Sequence, residues 1–125
     1  MTQEGSLFCQ VNSPKNLEEM SDLEKKHCPV ISVPAEITAD KPFEVCVEVG
    51  KLLAHPNENG HFIQFIDLYA EYVFLARIDF TAVTTQPVLK IPVTLGHAGL
   101  KTTLRAFARC NLHGVWQGTK EVTVG

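Results

Sequence analysis

Cys110-Asn111-Leu112-His113 places a thiol and an imidazole three residues apart, where an apolar run ends and a glycine-containing turn opens. At that spacing both side chains can bend toward one point, and a thiolate with an imidazole is a donor pair suited to a borderline transition metal. Upstream, His55-Pro56-Asn57-Glu58-Asn59-Gly60-His61 brackets a turn-rich loop with two histidines that can reach the same ion from opposite ends. His27 stands at the junction between an N-terminal arm and the first strand-like run, which makes the potential ligand set four imidazoles and one thiolate. Taken singly, each histidine reads first as a solvated loop residue. Taken jointly they point to a metal, because His55, His61 and the Cys110/His113 pair all fall in connections beside strands, and loops cluster at the ends of a β-sandwich.

The remaining histidine and cysteines have plainer readings. His97, within Gly96-His97-Ala98-Gly99, reads as a solvent-exposed hairpin tip. Cys46 alternates with valines inside a strand and reads as a small buried or half-buried side chain. Cys28 follows His27 directly and points the other way in an extended segment, and Cys9 has no partner pattern. The irregular spacing of the four cysteines predicts thiols and no disulfide staple.

The elements that must position these groups are short strands. From Phe43 to Val49 apolar residues recur with period two and the glutamates point the other way. Further runs rich in β-branched and aromatic residues are Pro29 to Val33, His61 to Tyr69, Phe74 to Phe80, Val88 to Leu95, Leu100 to Cys110 and Lys120 to Val124. Turn signals separate them at Ala39-Asp40-Lys41-Pro42, Pro56 to Gly60, Gly96 to Gly99 and Gly114 to Gly118, with a further turn expected near Glu71-Tyr72. In Phe74 to Phe80 the residues Phe74, Ala76, Ile78 and Phe80 share one face and Arg77 and Asp79 a wet one. About seven strands with regular turns predict an all-β, immunoglobulin-like antiparallel β-sandwich. Ahead of it, Ser13-Pro14 reads as an N-cap and first helical position, with Leu17, Met20 and Leu23 or Glu24 giving about two helical turns before Pro29. The expected organisation is an arm over residues 1–28 and a metal-binding sandwich over 29–125, forming a single domain.

Composition sets the outer limits. A chain of 125 residues with 45% hydrophobic and 20% charged residues can bury a core and is not disordered. Its net charge of -3 and lack of a basic block make nucleic acid an unsuitable partner. No apolar stretch is long enough to span a bilayer, and Met1 to Ser13 lack the basic and hydrophobic regions of a secretory signal, so a cytoplasmic address is expected.

Lys26-His27-x-Pro29-Val30-Ile31, His55-Pro56-Asn57-x-x-x-His61-x-Ile63 and Cys110-Asn111-Leu112-His113-Gly114-Val115-Trp116, in this order and at these separations, resemble the iron-site motifs of superoxide reductases, the neelaredoxin and desulfoferrodoxin proteins. The resemblance runs from about Lys25 to the end of the chain. Desulfoferrodoxins carry an extra four-cysteine iron domain whose pattern Cys9 does not match, so the resemblance is to the one-iron form. It implies a ferrous ion held in a plane by His27, His55, His61 and His113, with Cys110 as axial thiolate and a sixth position open to superoxide. It further implies one-electron reduction of superoxide to hydrogen peroxide and re-reduction by an external donor such as rubredoxin. Many one-iron relatives are tetramers, which makes a homo-oligomer the expectation by analogy. Lys26 matches the family lysine that guides superoxide. The family glutamate that closes the sixth site of the resting ferric form has no counterpart in register, since Lys25 fills that position and Glu24 lies one residue earlier. From the residues alone, a cupredoxin-like electron carrier is the rival reading: a late Cys-x-x-His plus an upstream His also binds blue copper, with Gln117 as a substitute for the missing axial Met. A metal-free interaction module is a third.

Overall fold

The computed structural model describes residues 7–125; residues 1–6 of the expected arm lie outside the described residues. The elements in chain order are β1 (Val11–Asn12), α1 (Asp22–His27), β2 (Val30–Ser32), β3 (Phe43–Glu48), β4 (Ile63–Ala70), β5 (Val73–Asp79), β6 (Val88–Val93), β7 (Lys101–Cys110) and β8 (Gly114–Thr123). They form a five-stranded sheet in the order β1-β8-β7-β4-β5 and a three-stranded sheet in the order β2-β3-β6. All pairings are antiparallel except β1 on β8. One hydrophobic cluster joins the sheets: Val45 and Val47 of β3 and Leu89 of β6 pack with Ile66 and Leu68 of β4 and Leu104, Ala106 and Ala108 of β7. The turn at Glu71-Tyr72 separates β4 from β5, with Glu71 at φ 50°.

Strand alternation carries the core to the site. On β7 the inward series Thr102, Leu104, Ala106, Ala108 ends at Cys110, which is fully buried, so the period of two that fills the core also delivers the thiol to one end of it. Cys110 faces Ile63 across the β4–β7 pair, and the register slips between Ile63 and Phe65. That irregularity, two residues beyond His61, bends the strand where it meets the thiol, a usual place for a bulge.

Several expectations need correction. The helix does not start at Ser13. Asn16 forms a turn instead, its side-chain oxygen accepting from Glu18 N (2.9 Å) and its carbonyl from Glu19 N (3.2 Å), and Leu17 is 77% exposed. Helix α1 begins after Ser21, whose hydroxyl caps Glu24 N while the Glu24 carboxylate returns to Ser21 N, a Ser-x-x-Glu capping box. The Gly96 to Gly99 segment is no hairpin, because β6 and β7 belong to different sheets; His97 is exposed, as expected of a loop residue. On β5, a register shift between Leu68 and Tyr69 breaks the simple alternation, and Phe74 and Ile78 are exposed (56% and 40%). The last strand starts at Gly114, not Lys120, and passes straight through Gly118.

Those glycines serve close approach, which is their role when they lie inside strands. A Cβ on Gly118 would sit 2.0 Å from the carbonyl oxygen of Pro29, and one on Gly114, at φ 80°, would sit 2.5 Å from that of Leu7. The first contact lays the segment after His27 directly on β8. Gly118→Ala must therefore push Pro29, and His27 with it, off the strand. It is expected to destabilise the protein by about 1–3 kcal/mol, net of the backbone entropy alanine saves. Thermal melting of the metal-free protein should fall by several degrees, and an unchanged melting temperature would refute this reading of the crossing.

Candidate metal centre

Four side chains from three segments converge at the end of the core. His27 closes α1, His55 and His61 sit on the loop between β3 and β4, and Cys110 ends β7. One donor atom from each lies within 4.8 Å of the others. His113, in the turn between β7 and β8, completes the cluster: its ring centroid is 4.8 Å from that of His27 and 5.2 Å from that of His61, and its Nδ1 lies 3.5 Å from Cys110 Sγ. All five candidates named from the sequence are thus together, while His97, Cys9, Cys28 and Cys46 lie outside the group.

The hydrogen bonds fix how the rings face. A carbonyl can only accept, so His27 Nδ1 donates to Leu23 O (2.7 Å), and His55 Nδ1 donates to Pro56 O (2.6 Å). Each ring is neutral with its Nε2 lone pair free, the tautomer that a second-sphere carbonyl selects in metal-binding histidines. These two Nε2 atoms face each other at 3.1 Å. Two lone pairs at that distance repel unless an electrophile lies between them. His61 Nε2 is also buried without a partner, a position that costs free energy unless satisfied. Three unpaired imidazole nitrogens and one sulfur aimed at a common point fit a transition-metal ion.

Electrostatics agree. Burial, helped by neighbouring histidines, pushes His27 and His55 down to about 4, and burial lowers His61 as well. At neutral pH His27 and His55 are therefore uncharged and available as ligands. Burial pushes the Cys110 thiol up, opposed by N–H groups of Leu112 and His113 that donate to the sulfur and by the charge of Arg109. A metal ion would reverse that balance outright, as a coordinated thiol loses its proton. Trp116 braces the cluster: its ring stacks on His27 at 5.2 Å and its Nε1 donates to His113 O (3.0 Å).

The family model for desulfoferrodoxin matches residues 19–119. The chain belongs to the desulfoferrodoxin family. Among other members of this family, a relative from Methanocaldococcus jannaschii is 39% identical over 115 residues, covering 92% of this chain and 95% of the relative. The superoxide reductase of Pyrococcus furiosus is 32% identical over 118 residues, covering 80% of this chain and 89% of that protein. The solved superoxide reductase (neelaredoxin) from Ignicoccus hospitalis superposes with a TM-score of 0.77 at 32% identity, covering 99% of this chain and 100% of that one.

Two charged residues of this desulfoferrodoxin-family chain separate cleanly. Lys26 is half-buried and its charge lowers both His55 and His61, whereas Lys25 is exposed and is not among the charges acting on either. Glu24 is committed elsewhere: Oε1 accepts from Ser21 N (2.8 Å) and Oε2 from Lys15 N (3.2 Å), and the Ser21 bond is the main reason its carboxyl lies below the usual range. It is absent from the donor group. Glu24→Ala is accordingly expected to leave the visible spectrum of the oxidised, metal-loaded protein unchanged while fraying α1 and lowering the melting temperature by on the order of a few degrees. A strong spectral change at neutral pH would show that the carboxylate does reach the metal. Asn57, Asn111 and Trp116 lie inside the motifs, but spacing did not single them out as supports of the site; only the partners of their side chains, Thr85 O, Gly60 O and His113 O, show what each holds.

Proposed function

We propose that this chain reduces superoxide to hydrogen peroxide at one iron ion per chain, held by His27, His55, His61, His113 and Cys110. The observation that carries the reading is the pair of mutually opposed Nε2 lone pairs on His27 and His55, beside the unpartnered Nε2 of His61 and the Cys110 sulfur. When bound, iron in such a set supplies one electron to superoxide, which takes up two protons and leaves as hydrogen peroxide. The imidazoles offer neutral donors, the buried sulfur offers electron density from one side, and Lys26 supplies positive potential to an anion arriving at a protein whose net charge is -3. Rubredoxin, by family resemblance, is the donor that returns the electron.

The fold class proposed is an immunoglobulin-like sandwich over residues 29–125, with 1–28 as an arm of the same domain. By family analogy the protein is a homo-oligomer, a tetramer, and the N-terminal composition suggests a cytoplasmic address. No helix among the described residues is long and apolar enough to cross a membrane. The cupredoxin reading is disfavoured because it leaves at least one of the converging imidazoles without a role.

Metal analysis with superoxide consumption tests the proposal. Expected are one iron per chain and hydrogen peroxide formed in equal amount to the superoxide consumed. Copper in place of iron, or only one hydrogen peroxide for every two superoxides consumed, the yield of disproportionation, would overturn it.

A further inference from the structure

We propose that Asn111 is a positioning residue that locks His61 to the Cys110 turn, so that the two donors are placed as one unit. The proposal rests on the ligand reading above. Asn111 Nδ2 donates to Gly60 O (3.0 Å) and its Oδ1 accepts from Phe62 N (2.9 Å). These groups belong to the peptide units on either side of the His61 α-carbon, so one carboxamide fixes both planes that define this residue's backbone. Asn111 N also donates to Phe62 O (3.2 Å). The backbone of His61 is also paired with Glu58 in both directions, at 2.9 and 3.0 Å, so its own N–H and carbonyl are held from the other side.

The other end of the clasp is the thiolate turn. Asn111 directly follows Cys110, and two residues further on His113 sets its Nδ1 3.5 Å from the sulfur. Holding Asn111 against the loop at residues 60–62 therefore anchors the turn that joins Cys110 to His113 as well as the place of His61, across a sequence separation of 51 residues. A carboxamide is needed because the site asks for one donor and one acceptor. Aspartate has the same shape but sets a carboxylate oxygen against Gly60 O, and alanine leaves both peptide groups unpaired.

Cobalt(II) is the probe, since its thiolate charge-transfer band reports the sulfur and its extraction by a chelator reports the whole donor set without turnover. Loss of a group that supports a metal ligand typically costs 10–100-fold in affinity, so Asn111→Asp should release cobalt about ten- to a hundredfold faster than the parent and shift the band. Asn111→Ala carries the same expectation and serves if the aspartate variant does not fold. Val122→Ala is the control for stability alone: Val122 is buried and faces Thr102, eight residues along β7 from Cys110. It should lower the melting temperature and leave extraction and band at the parent's values. Parental extraction in both Asn111 variants, or the same acceleration in Val122→Ala, would overturn the proposal. A parent protein that shows no thiolate band with cobalt would overturn the ligand set, and the clasp with it.

Discussion

Cys110→Ala is expected to abolish the visible thiolate-to-iron band of the oxidised protein and to lower iron retention by more than the 10–100-fold typical of losing a supporting group. Cys110 is the only sulfur in the donor group and is fully buried, so no other thiol can take its place without moving the core. The substitution should be structurally mild, because alanine keeps the Cβ that continues the inward series of β7. Loss of band and metal in a folded protein is then attributable to the sulfur. His55→Ala and His61→Ala should also lower iron content, whereas His97→Ala, on an exposed loop away from the cluster, should not. A band that survives in Cys110→Ala would remove the thiolate from the assignment.

Lys26→Ala should slow the bimolecular reaction of the reduced protein with superoxide and flatten its dependence on ionic strength. Taken at about 6 Å from the anion, one positive charge is worth roughly 1 to 3 kcal/mol between water-like and surface-like dielectric limits, or from several-fold to about a hundredfold in rate. Lys26 is half-buried and its charge is felt at both His55 and His61, so it acts on the same end of the fold that the anion must reach. Lys25→Ala should do less, since Lys25 is exposed and its charge is spent in solvent. Pulse radiolysis that gives the parent's rate and salt slope for Lys26→Ala would reject the steering role.

The parts of the molecule readable in the sequence are those governed by a single local rule. Alternation alone specifies β3, because Phe43, Val45, Val47 and Val49 must face one way once Glu44 and Glu48 face the other. The candidate donors were legible as histidines beside turn residues and a Cys-x-x-His at a strand end, and the structure brings those five side chains together. What was not legible depends on distant partners. Gly114 and Gly118 carry the local signature of a turn, yet they are strand residues whose missing side chains admit the carbonyls of Leu7 and Pro29. Ser13-Pro14 has the local signature of a helix start, yet Asn16 turns the chain just after it and the helix begins only beyond Ser21, under the capping box with Glu24. The tautomers of His27 and His55 follow from carbonyls in the folded chain, and the second of these, Pro56 O, is part of a loop whose path no periodicity dictates.

The crossing of Pro29 over Gly118 is a contact between two main chains, and this decides what kinds of mutational drift the His27 arm can absorb. Substitutions in the core change side-chain volumes and rotamers, and their effects fade over a few neighbours. None of them alters the thickness of a peptide backbone. The spacing between the His27 segment and β8 is therefore set by a gauge that core repacking cannot recalibrate. Sequences of this fold can exchange much of their apolar interior while His27 keeps its distance, provided this one position never gains a carbon.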